Sequence, residues 1–161
     1  MKQNRRNNEI INEEVLFKDN EELVSTTDLR GVTTYANDIF CQVAGFEEHE
    51  LIGKNHNIVR HPDMPAAAFK DMWDHLKQGN SWRGVVKNKC KDGRYYWVDA
   101  YVTPIIENGK VTGYQSVRVK PSEQLKQTAQ KAYDSINKGD LSCISELTAS
   151  KKQIISFGVI G

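Results

Sequence analysis

Net charge is nearly absent from this chain: 22 Lys and Arg stand against 21 Asp and Glu. No bulk field draws it to nucleic acid or to an anionic membrane surface, so function has to reside in a site. Cysteine is scarce as well. Cys41, Cys90 and Cys143 lie far apart with no Cys-x-x-Cys pair, which excludes zinc ribbons and thiol exchange and fits a reducing compartment. The four histidines, His49, His56, His61 and His75, are scattered without clustered carboxylates and make no metal site. No nucleophile–base pair, paired carboxylates or phosphate-gripping glycine motif appears, which leaves catalysis without support. Long apolar runs are also missing. Residues 1–8 are basic and amide-rich with no apolar run behind them, so neither a secretory signal nor a membrane span is expected there, and the chain reads as cytoplasmic. The apolar stretch from Ile154 to Ile160 is far short of the roughly 20 residues a span requires. Either it packs on the domain or something beyond it has been cut away.

What the chain does have is a polar, titratable stretch set directly ahead of an amphipathic helix, from Asn55 to Trp73. Asp63 followed by Pro65 reads as the helix entry, with the carboxylate accepting from free backbone N–H groups. The helix is expected to run to about Gln78 and stop at Gly79. Phe69, Met72, Trp73 and Leu76 share one face by their spacing. Core packing explains that face, but a tryptophan behind Arg60, His61 and Asp63 also suits the flat wall of a pocket for an aromatic ligand.

Around this stretch the elements fall in a simple order. Residues 22–27 and 32–36 are β-prone runs about Asp28-Leu29-Arg30-Gly31, a hairpin. A short helix follows from Asn37 to Gly45, then another turn at residues 47–51. Residues 81–89 alternate, placing Trp82, Gly84, Val86 and Asn88 on one face and Arg83, Val85 and Lys87 on the other. Lys91-Asp92-Gly93-Arg94 and Glu107-Asn108-Gly109-Lys110 are hairpin signals around a strand from Tyr95 to Pro104 and another from Val111 to Val119. An exit helix with Leu125, Ala129, Ala132 and Ile136 on one stripe spans residues 123–138. The pattern is α+β with an antiparallel sheet. One domain with extensions fits the length: a short helix or arm over 1–20 whose apolar side needs a partner, a core over 21–120, and a C-terminal helix within 121–161.

With those motifs laid out, the chain resembles a PAS domain, in particular the flavin-binding PAS module at the N-terminus of bacterial aerotaxis (energy-taxis) receptors. The residues that carry the resemblance are Ser25-Thr26-Thr27-Asp28-Leu29, Ala36-Asn37-Asp38, Val59-Arg60-His61-Pro62-Asp63-Met64-Pro65 with Ala67-Ala68-Phe69 and Asp71-Met72-Trp73, then Trp82 to Asn88 and Tyr96-Trp97-Val98. The resemblance implies a PAS fold, with a five-stranded antiparallel sheet, helices across one face and FAD held noncovalently between them. It implies a larger parent protein too, in which residues 121–161 lead towards a membrane anchor and a chemoreceptor signalling region. The partners it implies are that downstream region or a second subunit, with no membrane contact by the PAS core and tethering to the inner face of the cell membrane. The outer sheet face, with Tyr95, Trp97 and Tyr101, is the expected docking surface. Light-sensing relatives keep a cysteine after Gly-x-Asn, whereas here Gly53-Lys54-Asn55 is followed by His56. Reversible electron uptake is therefore the better reading than photoadduct chemistry.

A flavin needs a flat apolar slot, amide donors and acceptors for its ring edge, and cations or N–H groups for its phosphates. Trp73 is read as stacking on the ring system or the adenine, against plain core packing. Asn88, inward by strand parity, offers its amide to the pyrimidine edge, against closing a bulge. Asn37 does the same or is an ordinary helix N-cap. Arg60 neutralises the pyrophosphate or ring edge, against a surface ion pair with Asp63 or a nearby glutamate. His61 and Asp63 shape the loop, by contact or by indirect support. His56 tunes proton coupling or is a satisfied loop histidine. Arg118 steadies a reduced, anionic ring or is a solvated strand charge. The rival readings are a haem-binding oxygen-sensing PAS domain, which needs a histidine on iron, and a cofactor-free interaction module.

Overall fold

A computed structural model describes residues 9–139 of the chain. Cys143, residues 1–8 and the apolar stretch at 154–160 lie outside the described residues. Five strands, β1 (Leu23–Asp28), β2 (Thr33–Ala36), β3 (Trp82–Lys89), β4 (Tyr95–Glu107) and β5 (Lys110–Val119), form one sheet in the order β2-β1-β5-β4-β3. Every neighbouring pair is antiparallel. The hairpins form where turn chemistry placed them. The Asp28 carboxylate accepts from the backbone N–H groups of Arg30 (2.8 Å) and Val32 (3.0 Å). At the β4–β5 turn Asn108 and Gly109 both take positive φ, the backbone of an Asn-Gly hairpin.

Between β2 and β3 the chain forms α1 (Asp38–Ala44), α2 (Glu48–Leu51), a 3-10 turn (His56–Val59) and α3 (Ala66–Lys77). The α3 stripe turns toward the face of the sheet that carries Ser25, Val86, Asn88 and Arg118. Asp63 does not cap this helix. Pro65 stands at the N-cap with no side-chain hydrogen bond, and the Asp63 carboxylate instead pairs with Lys87 Nζ at 3.0 Å. The Lys87 ammonium is a stronger donor to a carboxylate than a neutral backbone N–H.

Part of the opposite face of the sheet is covered by the chain itself. Helix α4 (Glu123–Asn137) buries Ala129, Ala132, Tyr133 and Ile136. The Tyr133 ring stacks on Trp97 at 6.5 Å and 7°, and its hydroxyl donates to the Val85 carbonyl at 2.6 Å. The arm is extended rather than helical over its described part. It runs beside the start of β4, where β5 has already ended, with Val15 N–H donating to the Tyr95 carbonyl at 2.7 Å and Tyr95 N–H to that of Glu13 at 3.0 Å. Glu14 is tied to Lys126 of α4 at 3.1 Å. Trp97 is consequently only 4% exposed and unavailable for docking, which corrects the expectation for the outer face, while Tyr101 remains 46% exposed. Among the described residues no helix is long and apolar enough to cross a membrane.

Candidate functional site

The interior between sheet and helices is not filled. A cavity of about 100 Å³, open to solvent on one side, lies between α3, the 3-10 turn and the inner face of β1, β3, β4 and β5. Phe69, Met72, Trp73 and Leu76 form its helical wall, so the stripe legible in the sequence faces this space. Across from them stand Val86, Ala100 and Val102, inward by strand parity and small enough to leave a slot. Trp82 forms another part of the wall, its indole N–H donating to the Asp71 carboxylate of α3 at 3.0 Å. Gly84 is required beneath it, since a Cβ there would sit 2.5 Å from the Trp82 Cη2. Trp73 is half-buried and meets Tyr114 edge-on at 5.5 Å.

The polar part of the wall centres on Arg118, 2% exposed on β5. Its guanidinium donates through Nη2 to Ser25 Oγ (2.7 Å) and His56 Nε2 (2.6 Å) and through Nη1 to the Leu23 carbonyl (3.3 Å). Its Cζ lies 4.7 Å from the centre of the Phe40 ring. Among the described residues no carboxylate stands within ion-pair distance, which is unusual for a buried cation. Burial lowers its pKa to about 10, opposed by the Tyr96 phenol. His56 lines the cavity and is crowded by protein; burial first, and the Arg118 charge second, push it down to about 3, so it is neutral at physiological pH. Asn88, 5% exposed, lines the cavity with its cross-strand neighbour Tyr96 beside it. The Tyr96 hydroxyl is buried without a hydrogen bond of good geometry. Its pKa is raised, chiefly by burial, although the Arg118 charge and the nearby Asn88 amide favour the phenolate.

A sequence model of the family described as the PAS fold matches residues 33–118. This chain belongs to the PAS-fold family. It is 47% identical over 121 residues to the aerotaxis receptor of Escherichia coli (strain K12), a match covering 75% of this chain and 24% of the receptor. It is 32% identical over 96 residues to the nitrogen fixation regulatory protein of Klebsiella pneumoniae, covering 59% of this chain and 19% of that protein. The chain thus matches a quarter or less of the length of these curated relatives. Among solved structures, a light-oxygen-voltage domain studied with a flavin analogue superposes with a TM-score of 0.61 at 22% identity, covering 74% of this chain and 89% of that one. The dark structure of the blue-light photoreceptor Aureochrome1 LOV gives 0.60 at 19% identity, covering 74% and 86%. These likenesses show the PAS fold.

Within the PAS fold, Trp73, Asn88, Arg60, His56 and Arg118 come together on the cavity wall. The reading of Arg118 as a solvated strand charge does not survive its burial. Arg60 lies over the Phe69 ring at 4.4 Å and donates to the Met64 carbonyl at 3.3 Å; it does not pair with Asp63. Three expected contacts lie off the wall. Asn37 is the N-cap of α1, its Oδ1 accepting from Phe40 N–H at 3.0 Å and Val24 N–H at 3.1 Å, so its amide is committed to backbone. His61 is buried beside Tyr95, its Nδ1 accepting from Asp63 N–H at 3.0 Å. Its pKa is lowered by burial and by Lys87. Asp63 belongs to the Lys87 pair. Sequence reasoning missed Ser25 and Tyr96. Strand parity could have found both, because Leu23, Ser25 and Thr27 alternate inward and Tyr96 faces Asn88 across the ladder.

Proposed function

We propose that this PAS domain holds FAD noncovalently in the cavity and serves as a redox sensor of the cell's energy state. The observation that carries this reading is Arg118, a buried guanidinium in the cavity wall that meets neutral acceptors and no carboxylate. Such a cation is costly in an apolar interior unless an electron-rich ligand completes it. The flat slot beside Trp73 and the Asn88 amide suit the fused rings and their polar edge. Arg60, exposed at the rim and free of carboxylates among the described residues, suits the pyrophosphate. Bound flavin supplies reversible uptake of two electrons from a reduced carrier and a proton from water, which leaves the reduced ring with one negative charge.

The chain's own residues do the rest. Arg118 favours the negative state, and the apolar wall of Phe69, Met72 and Trp73 keeps water from screening it. Neither Cys41 nor Cys90 lines the cavity, which supports redox sensing over a thiol photoadduct. Haem is the weaker reading, because His56 Nε2 is engaged by Arg118, while His61, His49 and His75 do not line the cavity. The match to an aerotaxis receptor supports placing the module, residues 21–120, in a larger receptor. There residues 121–161 lead towards a membrane anchor, and the signalling region or a second subunit reads the output.

An output path runs from the cavity to α4. Arg60 and Asn88, both on the wall, bridge through their backbones. Next to them Lys87 pairs with Asp63, and Asn137, the last residue of α4, donates through Nδ2 to the Asp63 carbonyl at 2.6 Å. A change of charge in the cavity that shifts this loop reaches the helix, with a coupling on the order of 1–3 kcal/mol. In Asn137→Ala, flavin affinity is expected to stay unchanged while the difference in amide exchange of α4 between oxidised and reduced protein shrinks. An undiminished difference would remove Asn137 from the path. The cofactor itself is tested by chromatography of what heat releases from the purified protein. FAD is the expected result; FMN, haem or nothing would overturn the assignment.

A further inference from the structure

We propose that His56 is a positioning residue that aims the Arg118 guanidinium into the cavity, acting as a neutral imidazole with its proton on Nδ1. The tautomer follows from the partner. A guanidinium carries N–H donors and no acceptor, so the 2.6 Å contact between Arg118 Nη2 and His56 Nε2 requires that Nε2 be bare. A protonated imidazole would set two cations face to face at that distance. Burial and the adjacent guanidinium both favour the uncharged ring.

The aim is set by few contacts. Of the anchors on Arg118, the Leu23 carbonyl is long at 3.3 Å, while Ser25 Oγ at 2.7 Å and His56 Nε2 at 2.6 Å are short and hold the same nitrogen, Nη2. Of these two, His56 reaches the guanidinium from outside the sheet, on the 3-10 turn, and so sets its direction across the cavity. Its ring also lies 6.1 Å from Phe40, the same ring that Arg118 covers, so imidazole and guanidinium share one aromatic support. Removing the imidazole leaves Arg118 charged and buried but free to turn from the cavity towards the backbone of β1.

This inference rests on the flavin reading only in its second test. The first uses flavin-free protein: nitrogen-15 NMR of the His56 ring at neutral pH is expected to show the neutral form protonated at Nδ1. A ring protonated at Nε2, or at both nitrogens, overturns the proposal. The second compares affinities for oxidised and dithionite-reduced FAD in the parent, His56→Gln and His56→Leu. The glutamine, whose side-chain oxygen also accepts, is expected to keep the parent's ratio; the leucine is expected to lower the preference for reduced FAD by about tenfold. Equal ratios in parent and leucine protein overturn the positioning role. Should His56→Leu fail to fold, a His56→Gln ratio unlike the parent's does the same. A parent that binds no flavin in either state defeats the proposed function, while the NMR result still decides the tautomer.

Discussion

Replacing Arg118 with methionine is expected to cost flavin and not stability. Flavin-free Arg118→Met should unfold at close to the parent's temperature, because the desolvation cost of a buried guanidinium without a carboxylate is offset only by neutral acceptors, at Ser25, His56 and Leu23. Methionine removes that desolvation cost but leaves the Ser25, His56 and Leu23 acceptors without their donor, and the two effects oppose each other. Flavin binding should fall steeply in the same protein. A hydrogen bond from a charged donor contributes about 1.5–3 kcal/mol, which corresponds to roughly a tenfold to hundredfold loss of affinity. Thermal unfolding of the flavin-free proteins and a fluorescence titration with FAD measure the two effects separately. An Arg118→Met protein that is destabilised yet binds FAD as before would assign the guanidinium to the fold alone.

Acid is the second strong lever. His56 is held at about 3 in the folded protein against about 6.5 unfolded, so between those values the unfolded chain binds the extra proton and folding stability falls as pH falls. Above pH 6.5 both states are neutral and the group contributes no slope; below about 3 both are charged and the loss is complete. The full effect, reached only in strong acid, is on the order of 5 kcal/mol. His61, lowered by burial and then by Lys87, tilts the curve the same way. The depressed carboxyls of Asp28, held chiefly by the Val32 N–H, and Glu50, held chiefly by Lys91, also lose stabilisation in acid, but they are exposed and count for less. Urea unfolding of flavin-free protein from pH 7 down to 4 should show the loss, and His56→Gln should show a distinctly shallower one. Coincident curves for the two proteins would mean that His56 is as solvated as in a peptide.

Local chemistry carried far in the sequence. Alternation across residues 82–88 put Trp82, Val86 and Asn88 on one face, and the ladder with β4 confirms that parity. Hairpins at Asp28–Gly31 and Asn108-Gly109 follow from side-chain acceptors and positive φ, both properties of the residues themselves. The α3 stripe was equally plain, although no pattern within the helix told whether it met side chains or an open cavity. What escaped were contacts set by distant partners. Asp63 looked like a cap until Lys87, on a strand that follows the helix, supplied an ammonium. Trp97 looked like a docking residue because nothing in its own strand shows that Tyr133 stacks on it. Asn37 had two local roles available, and the hydrogen bonds to Phe40 and Val24 select the cap. Ser25 was passed over because a serine inside a polar run carries no apolar signal, even at an inward position.

The central claim is that the space between Trp73 and Arg118 belongs to a redox-active flavin. The absorption spectrum of protein purified in the dark, recorded before and after dithionite and again after air, tests it directly. Oxidised-flavin bands that bleach on reduction and return with oxygen are the predicted result. A Soret band, or protein that stays colourless after incubation with excess FAD, would contradict it.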